Sequence, residues 1–124
     1  MRQIPHTTLI FERYRIYELR QDVPLSFQFV LALSTTQDAH RYGVTSVTFA
    51  PMVVAGPRAD NSPHRVPINP RRQGGTAGIL SRMYVAIDAI QSINKAAFLP
   101  RDLGLITPTE EREVVEKLSA YLGL

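Results

Sequence analysis

LSFQFVLALST, residues 25–35, is the clearest β-strand in the sequence, because large apolar and smaller side chains alternate through it without a break. Leucines and phenylalanines occupy the odd-numbered positions, and small, mostly polar residues occupy the even-numbered ones. A repeat of two residues is typical of a strand that turns one face toward a core. We therefore predict a long strand with one apolar face and one small, mostly polar face.

Further strands flank this segment. β-branched and aromatic residues dominate residues 7–20 and 44–55, and Pro51 predicts a bulge or bend in the later strand. A turn over residues 36–43 joins the two central strands. Beyond them, a turn at residues 58–61 leads into a short irregular strand at residues 64–69.

Residues 79–90, ILSRMYVAIDAI, follow a glycine-containing loop at residues 71–78 that we expect to be mobile. Their composition also suits a helix, but the alternation and the preceding Gly74 and Gly75 favour a strand. In that strand Met83, Val85 and Ile87 point inward. The outward positions carry Arg82, Tyr84, Ala86 and Asp88.

The end of the chain carries a strong helix signal. Residues 92–106 look like a linker with a helical turn around residues 94–98, interrupted by Pro100 and Gly104. Thr107-Pro108-Thr109-Glu110 is a capping box with proline at the first helical position, and Gly123 suits the helix end. The apolar stripe of this helix consists of Val114, Val115, Leu118, Tyr121 and Leu122.

The predicted fold is α+β, with an antiparallel sheet of about five strands followed by a C-terminal helix. Residues 1–124 form a single domain, divided into an N-terminal strand (1–23), a central sheet (24–91) and a linker with the helix (92–124). One sheet and one helix cannot cover both sheet faces. The second face is therefore expected to meet solvent, a ligand or another subunit.

Composition narrows the functional classes. The chain of 124 residues has no cysteine, no apolar stretch typical of a signal peptide at its start, and no run long enough for a membrane span. Its net charge is +3, with 12 arginines against 2 lysines, and five arginines lie between Arg58 and Arg82. Arginine suits phosphate and stacks on bases, so a polyanionic partner is one reading. A solvated arginine-rich surface is the other.

We find no pattern that assembles a reaction or a metal site. His6, His40 and His64 lack metal-ligand spacing, and RRQGGT at residues 71–76 lacks the spacing and the lysine of a phosphate-binding loop. Acid–base candidates lie beside arginines, so ion pairing is the better prediction for them. These candidates are Glu12, Glu18 and Asp88. We expect no enzyme activity, no cofactor, no metal and no small-molecule substrate.

Binding is better supported. Arg82 and Tyr84 lie two residues apart on one strand face, where an aromatic ring can stack on an unpaired RNA base and a guanidinium can neutralise phosphate. The alternative is a tyrosine packed against its neighbours with only the hydroxyl in water.

This pattern resembles the coat proteins of single-stranded RNA phages, the levivirus group. The resemblance rests on chain length, the two long central strands, the segment RMYVAID at residues 82–88 and the helix TPTEEREVVEKLSAYL at residues 107–122. It departs from the family at Ala86, where asparagine is common, and in the neutral face of the central strands. Both departures bear on RNA specificity.

The resemblance implies a homodimer with a continuous sheet and exchanged helices, assembled into an icosahedral (T=3) capsid that packages genomic RNA. The location would be the virion, and the bacterial host cytoplasm during assembly, with no membrane partner. The implied RNA contacts are Arg82, Tyr84, Ser26, Gln28, Ser34, Ser46 and Thr48. The implied loop between dimers is Arg71, Arg72, Gln73, Gly74, Gly75 and Thr76. The implied dimer core is Phe27, Phe29, Leu31, Val47, Phe49, Val85, Ile87, Val114, Leu118 and Leu122.

Three alternatives compete with this reading. The first is a dimeric regulator that binds single-stranded nucleic acid through the same arginine and tyrosine. The second is another phage structural protein, from a tail or neck, that binds no RNA. The third is an enzyme of a type that the sequence does not reveal.

Overall fold

The computed structural model describes residues 11–35, 46–54, 56 and 62–124. Within them, seven strands precede one α-helix, named here α1. The strands are β1 (Arg15–Leu19), β2 (Phe29–Ala32), β3 (Ser46–Val54), β4 (Arg65–Ile68), β5 (Met83–Ala86), β6 (Gln91–Asn94) and β7 (Phe98–Leu105), and α1 is Pro108–Leu122. The turns predicted at residues 36–43 and 58–61 lie outside the described residues.

The strands form one antiparallel sheet in the order β4-β5-β3-β2-β1-β7, with β6 pairing with β3. β3 has three partner strands, because it pairs with β2 along one edge and with β6 and then β5 along the other. Pro51 lies where the partner changes, between Phe49, which is opposite Gln91, and Met52, which is opposite Val85. Proline lacks an N–H group, so it fits a position between two partners.

Both faces of this sheet are buried within a single chain. One core contains Ile16, Leu31, Met52 and Val85 and receives Val114 from α1. The second core lies on the other face and is rich in aromatic residues. It contains Phe11, Tyr17, Leu19, Val30, Ala32, Val47, Phe49 and Phe98.

The second core corrects the prediction of a polar face on residues 25–35. Val30 and Ala32 are 0% exposed. Phe11, Tyr17 and Phe98 supply the cover, with ring centroids 4.6 Å apart for Phe11 and Tyr17 and 5.1 Å apart for Phe11 and Phe98. A second subunit is therefore not needed to bury this face.

Residues 92–106 are not a linker. They contain most of β6, a 3₁₀ turn at Lys95–Ala97 and the whole of β7. Asn94 caps the turn, because its side-chain oxygen accepts the N–H of Ala96 at 2.9 Å. Pro100 and Gly104 break the alternating pattern of β7, which explains why the sequence did not reveal a strand there.

Residues 79–90 are extended over a shorter length than predicted. β5 ends at Ala86 and a 3₁₀ turn follows at Ile87–Ala89. All four residues of β5 are buried, because β5 lies between β3 and β4. The segment at 71–78 is also more organised than a mobile loop, since the N–H of Gly78 donates to the carbonyl oxygen of Leu103 at 2.6 Å.

The predicted helix is confirmed. The N–H of Glu110 donates to Thr107 Oγ1 at 3.1 Å, and Glu110 Oε1 accepts the N–H of Thr107 at 2.9 Å, which completes the capping box. Gly123 ends the helix at φ 74°.

The helix lies on its own chain. Glu110 Oε2 accepts the N–H of Asn69 and Lys117 Nζ donates to the carbonyl oxygen of Arg65, which ties α1 to the region of β4. Val114 is 0% exposed in this position, so its burial does not require the expected exchange of helices between two chains, whereas Val115, Tyr121 and Leu122 of the predicted stripe are 41%, 45% and 55% exposed. In the described ranges, no helix combines the length and hydropathy that a bilayer crossing requires.

Candidate active-site groove

Three adjoining cavities form a groove along the β1–β2 hairpin and the ends of β3, β5 and β7. Their volumes are about 270, 350 and 300 Å³. The first two share Ser26, Phe27 and Gln28, and the last two share Phe29, Val54 and Met83, so the surface is continuous. We call this surface the groove.

An acidic residue stands on the wall of the groove. Glu18 lies opposite Phe29 in the pairing of β1 with β2, and its side chain is 13% exposed. The Gln28 amide donates to Glu18 Oε2 at 2.5 Å, and Arg101 Nη2 on β7 lies 3.4 Å from Glu18 Oε1. The carboxylate is therefore held from two sides, by the residue that precedes β2 and by a residue on β7.

The floor of the groove is apolar. Phe29 packs against the first core, and Met52 and Met83 belong to it and lie beneath the cavities as buried side chains. Val54 and Leu80 stand at the rim and are 76% and 92% exposed. Large exposed apolar side chains beside a cavity are typical of a binding surface.

The rim also carries positive charge. Arg20 is paired with Asp22, whereas Arg101 is 68% exposed despite its contact with Glu18. Arg82 lies between two residues that line the groove, Ser81 and Met83. No carboxylate among the described residues pairs with Arg82, and its guanidinium carbon lies 5.3 Å from the centre of the Tyr84 ring.

The structure divides the RNA contacts that the sequence suggested. Ser26 and Gln28 line the groove, whereas Arg82 does not, although its chain neighbours Ser81 and Met83 do. Tyr84 is 5% exposed, between β3 and β4, with the guanidinium carbon of Arg82 5.3 Å from its ring centre, so the ring is not the exposed stacking surface that the sequence suggested.

The other three suggested contacts lie elsewhere, beside or near β6. Ser34 Oγ accepts the N–H of Thr48, Thr48 bonds to Ser92 through its hydroxyl, and Ser46 lies opposite Asn94. Ser46 and Thr48 therefore lie at the opposite end of β3 from Met52 and Val54, which line the groove.

The residues suggested for a loop between dimers form a compact turn in one chain. Arg71–Gln73 is a 3₁₀ turn and Gly74 has φ 86°. A Cβ on Gly75 would lie 1.8 Å from the carbonyl oxygen of Asn69, so only glycine fits there. Thr76 Oγ1 donates to the carbonyl oxygen of Leu105, which fastens the turn to β7.

The residues suggested for a dimer core mostly lie in the two cores of the single chain. Leu31, Val85, Ile87 and Val114 are in the first core, with Phe29 and Leu118 packed on it. Val47 and Phe49 are in the second core, with Phe27 packed on it. Leu122 is 55% exposed.

Glu18 is one of the acid–base candidates in the sequence for which ion pairing with a neighbouring arginine is the better prediction. The ion pair exists, but the partner is Arg101, which the sequence placed in a linker. Glu12 pairs with Arg15, and Asp88 pairs with Arg65. No local pattern could have joined Glu18 to Arg101, because 83 residues separate them.

A second charged cluster lies beside the groove on the same two strands. Arg15 contacts Glu12 Oε2 at 2.8 Å and Asp102 Oδ1 at 3.1 Å, and the hydrogen bond with Glu12 is the main cause that raises the pKa of Arg15. Burial raises the pKa of the neighbouring Tyr17 hydroxyl. Where the chain is described, no group of three histidine, aspartate or glutamate residues is placed to hold a metal ion.

By sequence, the chain matches no protein-family model and no curated protein. Its structure is similar to solved MazF structures. The Mycobacterium tuberculosis toxin MazF-mt6 is 21% identical, with 89% of this chain and 97% of that chain covered and a TM-score of 0.66. An endoribonuclease in complex with its cognate antitoxin, from a mycobacterial species, is 20% identical, with 90% and 94% covered and a TM-score of 0.66. MazF from Deinococcus radiodurans is 18% identical, with 93% and 98% covered and a TM-score of 0.66.

This likeness overturns the resemblance to RNA phage coat proteins. The expected capsid, the virion location and the packaging of genomic RNA are wrong, since the structural neighbours are toxins and not shell proteins. A tail or neck protein finds no support either. The prediction that the chain is not an enzyme is contradicted by neighbours that are endoribonucleases. At these identities the likeness establishes the fold: a MazF-like antiparallel sheet of seven strands with a C-terminal helix.

Proposed function

We propose that this chain is an endoribonuclease that cleaves single-stranded RNA in the groove and acts as the toxin of a toxin–antitoxin pair. The observation that carries the proposal is the carboxylate of Glu18, held by Gln28 and Arg101 on the wall of an apolar groove. The MazF-like fold supports it, because structural neighbours are endoribonucleases.

The groove residues suit strand cleavage by the ribose 2′-hydroxyl. Glu18 accepts the proton of that hydroxyl. The 2′-oxygen of the ribose then forms a bond to the adjacent phosphorus. The bond from phosphorus to the 5′-oxygen breaks, and the 5′-oxygen leaves with a proton from solvent. Arg101 neutralises the negative charge that develops on the phosphate oxygens, and Glu18 afterwards releases its proton to solvent. The products are a 2′,3′-cyclic phosphate and a 5′-hydroxyl.

The shape of the groove favours a single strand over a duplex. Apolar side chains such as Phe29 and Val54 can contact the faces of unstacked bases, which a double helix keeps inside. Arg82, which has no carboxylate partner in the described chain, supplies a contact for a neighbouring phosphate. Ser26 and Gln28 add hydrogen-bonding groups along the same path.

The partner in this proposal is an antitoxin. MazF from Deinococcus radiodurans was solved with MazE, and the mycobacterial endoribonuclease was solved with its cognate antitoxin. In this chain the exposed Val54 and Leu80 offer apolar surface beside the groove for such a partner. A protein bound there would exclude RNA from Glu18.

The direct test compares RNA and DNA. The purified chain is incubated with a pool of end-labelled single-stranded RNA oligonucleotides and with DNA oligonucleotides of the same sequences. We expect the RNA to be cut, with 2′,3′-cyclic phosphate ends, and the DNA to stay intact because it lacks the attacking hydroxyl. Cleavage of both substrates would contradict the proposed chemistry.

RNA binding without cleavage is the outcome that would overturn this proposal. The same experiment separates the two functions. RNA that is retained by the wild-type chain but recovered intact would identify a binding protein, and it would exclude the nuclease.

A further inference from the structure

Strand β7 departs from a regular ladder opposite β1. The paired residues are Arg15 with Leu105, Tyr17 with Asp102 and Leu19 with Phe98. From Arg15 to Tyr17, β1 advances by two residues while β7 advances by three. From Tyr17 to Leu19, β1 again advances by two residues while β7 advances by four. Extra residues of this kind form β-bulges, which bend a strand and redirect a side chain.

The larger of the two irregularities in β7 contains Arg101. It spans the residues between Phe98 and Asp102, and Arg101 is the last of them. From there the guanidinium of Arg101 reaches Glu18 on the adjacent strand. The distorted ladder thus brings a cation to the groove from an edge strand.

A single oxygen holds the end of this irregular segment. Asp102 Oδ1 accepts from Arg15 Nη1 at 3.1 Å and from the N–H of Gly104 at 2.8 Å. The first bond fixes Asp102 to β1, and the second fixes the turn that follows. Gly104 has φ +97°, the left-handed conformation found at many bulges.

We propose that Asp102 and Arg15 are positioning residues that set the place of Arg101 against Glu18 for RNA cleavage. This inference rests on the proposed function. The charges of Asp102 and Arg15 are paired with each other, so these residues act through Arg101 and not on RNA. Their ion pair links the strand that carries Glu18 to the residue that follows Arg101.

Single-turnover cleavage of an RNA oligonucleotide tests the proposal in five forms of the full chain besides the wild type. Arg101→Ala removes the cation, Asp102→Ala removes its anchor, and a double variant removes both. Asp102→Asn keeps Oδ1 as an acceptor and tests rescue by a conservative change. Glu113→Ala removes a carboxylate from an ion pair with Lys117 on α1, and it is the control for the same change in net charge.

We expect Arg101→Ala and Asp102→Ala each to lower the single-turnover rate constant at saturating protein by about 100-fold, with little change in the protein concentration that gives half the maximal rate, as removal of one group that stabilises the transition state does. The double variant should be no slower than Arg101→Ala, because Asp102 acts through Arg101. Asp102→Asn and Glu113→Ala should stay within about threefold of wild type. A wild-type rate for Asp102→Ala, or a further loss in the double variant, overturns the proposal.

A measurement without RNA separates this inference from the proposed function. The ¹³C carboxyl resonance of Glu18 at pH 7 senses the nearby guanidinium. It should move in Arg101→Ala and move to the same position in Asp102→Ala, while Glu113→Ala leaves it in place. If the wild-type protein does not cut RNA, the proposed nuclease function is rejected. The Glu18 resonance then tests by itself whether Asp102 positions Arg101. An unmoved Glu18 resonance in Asp102→Ala overturns the positioning in either case.

Discussion

Arg101 Nη2 lies 3.4 Å from Glu18 Oε1, so a cation on the edge strand β7 sits against an acid on β1 that precedes it by 83 residues. The two partners differ in exposure, since the side chain of Glu18 is 13% exposed and that of Arg101 is 68% exposed. The acid is fixed in the groove wall, whereas the cation reaches it from the solvent side. A phosphate that enters the groove can therefore contact Arg101 without the removal of Glu18 from its place.

Arg82→Ala is expected to weaken RNA binding. Arg82 lies between Ser81 and Met83, which line the groove, and has no carboxylate partner in the described chain, so its charge is available to a phosphate. The slope of log affinity against log salt is negative, and loss of one phosphate contact should reduce its magnitude by about 0.7 for a single strand. Fluorescence anisotropy with a short labelled RNA across a salt series measures both quantities.

The control for Arg82→Ala is Arg112→Ala, which removes an exposed arginine from α1. It changes the net charge equally but does not touch the groove. Equal salt slopes in the two variants would mean that Arg82 makes no specific contact with the RNA backbone.

Gly104→Ala is expected to destabilise the fold. Gly104 has φ +97°, and a Cβ added there would lie 3.2 Å from the carbonyl oxygen of Thr76. The left-handed conformation costs an L-residue about 1–2 kcal/mol, and the close contact adds to this cost. Urea unfolding should show the loss as a lower midpoint with an unchanged slope.

Gly56→Ala is the matched control, since no atom lies within 4 Å of the added Cβ. It should leave the free energy of unfolding near the wild-type value or raise it slightly. A Gly104→Ala variant as stable as Gly56→Ala would show that β7 does not hold the left-handed turn.

Alkaline pH is expected to weaken the second core through Tyr17. Burial raises the pKa of Tyr17 above the ordinary value of 10.0, and its hydroxyl accepts the N–H of Glu12 at 2.8 Å. A raised pKa means that the folded state favours the neutral hydroxyl. This stabilisation is fully present below pH 10 and is lost as the pH rises through the higher folded-state value.

Urea unfolding between pH 8 and pH 11 checks this effect, and the pH range follows from the ordinary tyrosine value of about 10. The free energy of unfolding should fall more steeply above pH 10 in wild type than in Tyr17→Phe. Tyr121→Phe is the control, because Tyr121 is 45% exposed and should leave the wild-type slope unchanged. If the free energy of unfolding depends on pH identically in all three proteins, ionisation of Tyr17 is not the cause of the loss of stability.

The features that sequence could predict are local ones. The capping box at Thr107 and Glu110 is written in four consecutive residues, and the structure reproduces it. The alternation in residues 25–35 predicted β2, although it also predicted a polar face that Val30 and Ala32 do not provide. That error arose because the aromatic cover of this face comes from Phe11, Tyr17 and Phe98, which lie in other parts of the chain.

The groove could not be predicted for the same physical reason. Its acid is on β1 and its cation is on a strand whose Pro100 and Gly104 hide the alternating pattern. Tyr84 illustrates the opposite error, since a favourable pattern of Arg82 and Tyr84 suggested an exposed ring that the structure covers with Arg82. Register between strands decides both cases, and register depends on bulges and partners distant in sequence.

The most direct measurement is the single-turnover cleavage rate of a single-stranded RNA by wild type and by Glu18→Gln. Glutamine preserves the size of the side chain and removes the proton acceptor, so the rate should fall by about 10²–10⁴-fold while RNA affinity changes little. Glu116→Gln makes the same chemical change at an exposed position of α1 and should cut RNA at the wild-type rate. Glu18→Gln that cuts RNA as fast as wild type would contradict the assignment of Glu18 as the base of the groove.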